Sequence, residues 1–146
     1  MKLAASNIAL KKNLEYVLSF YEKNGCSGIE IAPDLILENP TKSKLQERKS
    51  ILKLIKDNNL SVTGLHSLLF QKMECLLFGN SDNRLNFINY LKDIMELCAD
   101  LEGKQVVFGS PFSRKLFGKS IEEARKISHE VFDELSEFGK KIDVYF

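Results

Sequence analysis

The stretch Ser27-Gly28-Ile29-Glu30-Ile31-Ala32-Pro33 decides how this chain is read. Its alternation puts Ile29 and Ile31 on one face and Glu30 with Ala32 on the other, which is the period of a strand. Pro33 ends the strand because it has no amide hydrogen to give to a ladder. Just before it, residues 13–24 carry Leu14, Val17, Leu18 and Tyr21 at helical spacing, with Gly25 as the stop. Just after it, Pro40 and Ser43 each offer a helix start, and Ser43 and Gln46 are spaced as a capping box. Leu45, Ile51, Leu52, Leu54 and Ile55 then supply that helix with an apolar face. A strand framed by two helices is the repeating unit of a parallel sheet covered by helices.

The same unit recurs in both directions. Residues 2–9 read as a first strand, and residues 60–69, after the Asn58-Asn59 turn, as a third. Residues 70–80 form a loop longer than the usual few residues, which points to a functional role. Asp82 is expected to cap a third helix running to about Glu102 on Leu85, Ile88, Leu91, Ile94, Met95, Cys98 and Leu101, with Gly103 closing it. Residues 105–109 read as a fourth strand. Ser120 and Glu123 form a capping box that opens a fourth helix on Ile121, Ala124, Ile127, Val131, Leu135 and Phe138, with Gly139 as its end. Residues 142–146 begin a fifth strand. A closed (β/α)8 barrel needs roughly 200 to 250 residues, and this sequence has 146. The expected fold is therefore α/β: the N-terminal half of a (β/α)8 barrel, about four βα units plus a partial fifth strand. No linker or low-complexity stretch interrupts it, so residues 1–146 are expected to form a single partial domain, truncated before the later strands.

Composition narrows the function. Hydrophobic residues at 44% and charged residues at 28% suit a globular protein with one core. A net charge of +1 gives no field to draw nucleic acid or anionic membrane. Lys42, Lys44, Arg48 and Lys49 form a basic run, expected to be a solvated helix face. Cys26, Cys75 and Cys98 are odd in number and widely spaced, which disfavours a disulfide framework and favours a reducing, cytoplasmic setting. Cys98 is expected in the core. No apolar run approaches the roughly 18 residues of a membrane span. A half barrel would leave strand edges unpaired, and Leu3, Ala5, Val106 and Phe108 are expected on its uncovered interior. Exposed edges favour association, so a homodimer or association with a C-terminal half is expected, with residues 142–146 at the pairing edge.

In βα barrels the chemistry gathers at the C-terminal ends of the strands. Glu30 is the sharpest position there. If the isoleucines pack on helices, its carboxylate points inward, as a substrate-hydroxyl contact, a general base, or a structural group tied to a neighbouring strand. His66 ends the third strand on the face of Gly64, as a metal ligand, a substrate hydrogen bonder, or a structural histidine. His129, within the fourth helix, is expected at the surface or in packing. Gly109-Ser110-Pro111 with Arg114 offers amides, a hydroxyl and a guanidinium suited to an anion. It reads equally as an ordinary loop. Ser6 and Asn7 are placed to meet substrate hydroxyls, or to allow close strand packing.

The ordered set Ala5-Ser6-Asn7-Ile8-Ala9, Gly28-Ile29-Glu30-Ile31-Ala32-Pro33, Ser67-Leu68-Leu69-Phe70, Leu77-Phe78-Gly79 and Val107-Phe108-Gly109-Ser110-Pro111, followed by Arg114, resembles the sugar phosphate isomerase/epimerase family of xylose isomerase-like TIM barrels. The resemblance implies an eight-stranded barrel acting on a small sugar or sugar phosphate. It also implies a divalent metal (manganese, magnesium or zinc) held by carboxylates and a histidine at the ends of strands 5 to 8. Val144-Tyr145-Phe146 looks like the run before the first of those ligands, so no metal-binding residue is assigned and no metal is expected on this chain alone. What the resemblance leaves here is a pocket wall: Glu30 and His66 as catalytic candidates, Ser6, Asn7, Ser110 and Arg114 as substrate-binding ones. The expected function is a sugar phosphate isomerase/epimerase-like protein, inactive alone. The alternatives are a non-catalytic half-barrel that binds or assembles, and a DNA-repair protein of the endonuclease IV type. Residues 108–111 lack the histidine that the last type carries after its fourth strand.

Overall fold

A computed structural model describes residues 2–146. Three parallel strands, β1 (Ala4–Ser6), β2 (Gly28–Ile31) and β3 (Ser61–Leu65), lie side by side in chain order. Four helices follow them in turn: α1 (Leu14–Lys23), α2 (Leu45–Asp57), α3 (Ser81–Asp100) and α4 (Ile121–Ile142). The sheet continues through two shorter segments. Leu65 donates to Gln105 and accepts from Val107, both at 2.9 Å, and Val106 donates to Tyr145 at 2.8 Å. These are parallel bridges. The expected fourth and fifth strands thus pair through only a few residues each. The last one begins after Asp143, because Ile142 still belongs to α4.

The β1–β2 register is regular, with Ser6 opposite Glu30. The β2–β3 register is not. Ile29 faces Val62 but Glu30 faces Gly64, so Thr63 is an extra residue on β3. The Thr63 hydroxyl donates to the Ile29 carbonyl at 3.1 Å and ties the bulge down.

Ile29, Ile31, Val62, Leu65 and Val106 form the sheet's contribution to one apolar core, packed under Leu18, Ile55, Leu91, Ile94, Met95 and Leu135. Ala5 and Phe108 also pack on this helical side. Of the four residues expected on the interior, Ala5, Val106 and Phe108 therefore face the helices. The opposite face carries Ala4, Gly28, Glu30 and Val107. Close approach explains Gly28, where a Cβ would sit 2.7 Å from the Thr63 methyl.

All four helices end alike, on a residue in the left-handed region followed by an amide that reaches back five residues: Cys26 to Tyr21, Leu60 to Ile55, Gly103 to Cys98, Val144 to Gly139. The left-handed residues are Gly25, Asn59, Glu102 and Asp143. Gly25 thus acts as expected. Gly103 follows the stop at Glu102, and Gly139 lies one turn before the end of α4. Gly139 answers to packing, since a Cβ there would lie 2.2 Å from the Val144 carbonyl oxygen and 2.7 Å from Met95 Cε.

Helix starts follow local chemistry with two shifts. Ser120 and Glu123 form the expected box. Asn80, not Asp82, caps α3 by accepting from the Asn83 amide at 2.9 Å. α2 begins just after Lys44, whose amide donates to Glu47 at 2.7 Å, while Pro40 opens a separate short turn. Ser43 instead donates to Pro40 and accepts from Arg48 Nε at 2.9 Å. Arg48 departs most from expectation. It is buried, and its guanidinium meets Asp100 at 2.8 Å, because it shares the inward stripe of Ile51 and Ile55. On α3, Phe87 is buried against Phe108 and Leu85 is exposed.

Candidate active site

The open face of the sheet ends at Ser6, Glu30 and His66. Ser6 Oγ lies 2.6 Å from His66 Nε2 and accepts the Ile8 amide at 3.2 Å. The Ser6 hydroxyl keeps a second lone pair and its hydrogen, so it meets Nε2 as donor or acceptor according to the imidazole tautomer. Tyr21 of α1 donates to the Ser6 carbonyl at 2.6 Å, which fixes the strand end from behind. Burial, with Cys26 nearby, pushes the Tyr21 phenol above its ordinary range and keeps it a donor. The His66 backbone is held by donation to Ile31 at 2.9 Å.

Glu30 sits between these two residues in sheet order, opposite Ser6 and half-buried. Its carboxylate makes no hydrogen bond or ion pair among the described residues. Ser6, Glu30 and His66 are thus gathered at one edge.

Asn7 is spent differently. It is buried, its Oδ1 accepts the Ala32 amide at 2.8 Å, and its Nδ2 donates to the Ala32 carbonyl at 3.4 Å. This amide bracket locks the end of β1 to the end of β2.

Beside His66 a cleft of about 570 Å³ opens between the loop after β3 and the loop after residue 107. Ser67, Phe70, Gln71, Met73, Val107, Ser110 and Phe112 line it with His66. The loops are joined beneath by donation from the Leu77 amide to Ser113, at 3.0 Å. The long loop is anchored by the buried Leu68, Leu69, Cys75, Leu77 and Phe78. Ser67 and Gln71 take left-handed backbone within it. Ser110 reaches the cleft. Arg114 does not: it donates to the Gly109 carbonyl at 3.0 Å and stacks over Phe108 at 5.9 Å. His129 is exposed on α4, far along the chain from this edge. Sequence reasoning missed Phe70, Met73 and Phe112 as lining. Only the length of the loop hinted at them.

A model describing xylose isomerase-like TIM barrels matches residues 18–146. The chain belongs to the xylose isomerase-like TIM barrel family. Its fold agrees with solved members. A D-psicose 3-epimerase from Clostridium cellulolyticum H10 superposes with a TM-score of 0.75 at 13% identity, over 99% of this chain and 51% of that one. A sugar phosphate isomerase/epimerase from Parabacteroides distasonis gives 0.70 at 18%, over 99% and 50%. A 3-keto-D-glucoside 4-epimerase from E. coli gives 0.73 at 18%, over 100% and 55%. The chain spans about half the length of these structures and has the architecture of half a barrel. No curated protein matches the sequence. Among the described residues no three His, Cys, Asp or Glu side chains converge as a metal site. Glu30 and His66 alone, the latter engaged by Ser6, do not make the ligand set of a divalent cation. No described helix is long and apolar enough to cross a membrane.

Proposed function

We propose that residues 1–146 act as one half-barrel unit, forming the substrate wall of a cytoplasmic sugar isomerase/epimerase-type site. The observation that carries this reading is the half-buried Glu30 carboxylate, facing the open side without a partner among the described residues, beside the Ser6–His66 pair. A carboxylate so placed accepts hydrogen bonds from vicinal sugar hydroxyls, and it can take a proton from carbon next to a carbonyl. His66, oriented by Ser6, offers its Nδ1 to a second polar group of the sugar. Asn7 holds the strand ends in place, and Ser110 adds a hydroxyl from the far loop. Arg114 is the weakest of the substrate-binding candidates, since its guanidinium is turned onto Gly109 and Phe108. The ligands for any divalent metal, and the groups completing proton transfer, lie outside this wall, so turnover requires a further half.

The test incubates the 146-residue chain with a panel of ketoses and ketose phosphates in added manganese. Ketose is expected to perturb the His66 ring signals without turnover, and Glu30→Gln to weaken that perturbation. A chain whose His66 signals ignore every sugar overturns the reading. Turnover abolished by Glu30→Gln overturns the restriction to a wall.

A further inference from the structure

The two free edges of the sheet match each other. On β1 the Leu3 carbonyl accepts from the Gly28 amide, and Ala5 stands opposite Ile29. Successive residues of a strand turn their N–H and C=O to opposite sides, so those of Ala4 point away from β2. On the far edge Tyr145 donates to Lys104 and accepts from Val106, both at 2.8 Å, which turns its own groups into the sheet. The Val144 carbonyl and the Phe146 amide therefore point outward, and neither has a backbone partner among the described residues. Leu65 shows what completes such a set: it donates to Gln105 and accepts from Val107, straddling Val106. Ala4 has the groups to straddle Tyr145 in the same way, donating to Val144 and accepting from Phe146.

The side chains agree with this register. Ala4 stands opposite Gly28 on the open face, and Tyr145 stands opposite Gln105 on that same face. The small Ala4 leaves room for the Tyr145 ring. Leu3 with Val144, and Ala5 with Phe146, then meet on the helical side as apolar pairs. A slip of one residue would set each of these on the wrong face. Gly139 keeps the edge accessible, since a Cβ there would stand 2.2 Å from the Val144 carbonyl oxygen. A hollow of about 310 Å³ opens beside it, lined by Ser136, Lys140 and Tyr145. One chain cannot join its own two edges, because β2, β3 and residues 105–107 lie between them.

We propose that a second copy of this chain closes the sheet: the β1 edge of each copy pairs in parallel with residues 144–146 of the other, Ala4 opposite Tyr145, in a two-fold ring. Unlike edges meet, so the contact either closes on itself or propagates without end. The chain has the architecture of half a barrel, and two halves complete a circumference. All strands of the ring run the same way, so the Ser6, Glu30 and His66 edges of both copies stand around one mouth. The pairing rests on backbone geometry and is independent of the sugar reading.

Light scattering of the 146-residue chain from dilute to concentrated solution is expected to level off at twice the 16.7 kDa of one chain. Crosslinking reads the register. Ala4→Cys and Tyr145→Cys chains, mixed and oxidised, should form a disulfide-linked pair that neither forms alone and that the unaltered chain does not form. Val144→Cys in place of Tyr145→Cys should lose it, because that side chain points to the other face. Ala4→Pro removes the edge donor where an edge strand tolerates proline. It should raise the concentration of half-association about tenfold and leave the melting temperature of the dilute chain unchanged. A monomer at every concentration overturns the inference, as does a half-association that Ala4→Pro leaves unmoved. So do a mass that climbs past two chains, which marks open-ended pairing, and a crosslink formed by Tyr145→Cys alone, which marks like edges meeting. None of these outcomes bears on sugar binding at His66.

Discussion

Ser6 Oγ and His66 Nε2 meet at 2.6 Å although their strands, β1 and β3, are separated by β2. Neighbouring strands lie about 4.8 Å apart, so a flat sheet would hold these side chains near 10 Å from each other. The contact reports curvature toward the Glu30 side, the sense needed to close a barrel.

The strength of that contact is measurable. Removing the hydroxyl in Ser6→Ala should cost about 1 kcal/mol, because Nε2 and the Ile8 amide both lose a partner. His66→Ala should cost a similar amount, and the double variant less than the sum. Urea denaturation of the four proteins gives the coupling directly. Strict additivity would show that the pair contributes nothing.

Gly139 should be harder to replace than Gly25. Gly139→Ala places a methyl 2.2 Å from a backbone oxygen, and overpacking of this kind costs about 1–3 kcal/mol, here at the upper end. Gly25→Ala meets no atom within 4 Å and keeps only its backbone penalty at φ +78°, about 1 kcal/mol. Comparison of their denaturation midpoints tests the ranking.

Stability should fall in alkaline solution. Burial pushes the Cys75 and Cys98 thiols from their ordinary 9.0 up to about 11, with Glu74 adding to the effect at Cys75. Burial, then Asp34, also raises the Tyr90 phenol. Between pH ~9 and ~11 the unfolded chain has released thiol protons that the folded chain still holds. The unfolded state then binds fewer protons, and stability drops as pH rises. Denaturation midpoints across that window should decline, and Cys98→Ala should flatten the slope. A level profile would contradict the assignment. The half-buried Cys26 should react with a thiol reagent before either of the others.

Association should depend on concentration. β1 pairs only with β2 among the described residues, and Tyr145 at the opposite edge is 71% exposed, as Leu3 is 49% on the β1 side. Open edges recruit partners. Light scattering over a dilution series should show a mass that rises with concentration, and Tyr145→Lys should lower it. A constant monomer mass would refute this.

Much of the fold was legible because its signals are local. Strand alternation alone put Glu30 on the face opposite Ile29 and Ile31. The Ser120–Glu123 box and the Gly25 stop need only their own turns. What escaped depends on a second element. Arg48 looked solvated until α3 supplied Asp100. Gly139 looked like a terminator because the Val144 carbonyl that excludes a side chain comes from beyond the helix. The Asn7 amide looked free for substrate because nothing local places the Ala32 backbone against it. The cleft was least legible of all, since two loops about forty residues apart make it jointly.

The single extra residue at Thr63 acts as a phase shifter for the site. Strand alternation is a two-beat rhythm, and one inserted beat inverts everything downstream. Were Thr63 paired with Glu30 in unbroken register, Leu65 would turn toward the open side and His66 toward the helices. The chain would then bury an imidazole under α3 and offer a leucine to Ser6. An ordinary threonine, marked only by the hydrogen bond it gives to Ile29, thus goes with His66 rather than Leu65 standing beside Ser6. Deleting Thr63 would keep Gly64 opposite Glu30 and His66 on the open side; what the bulge prevents is Thr63 taking the place opposite Glu30 and turning the imidazole inward.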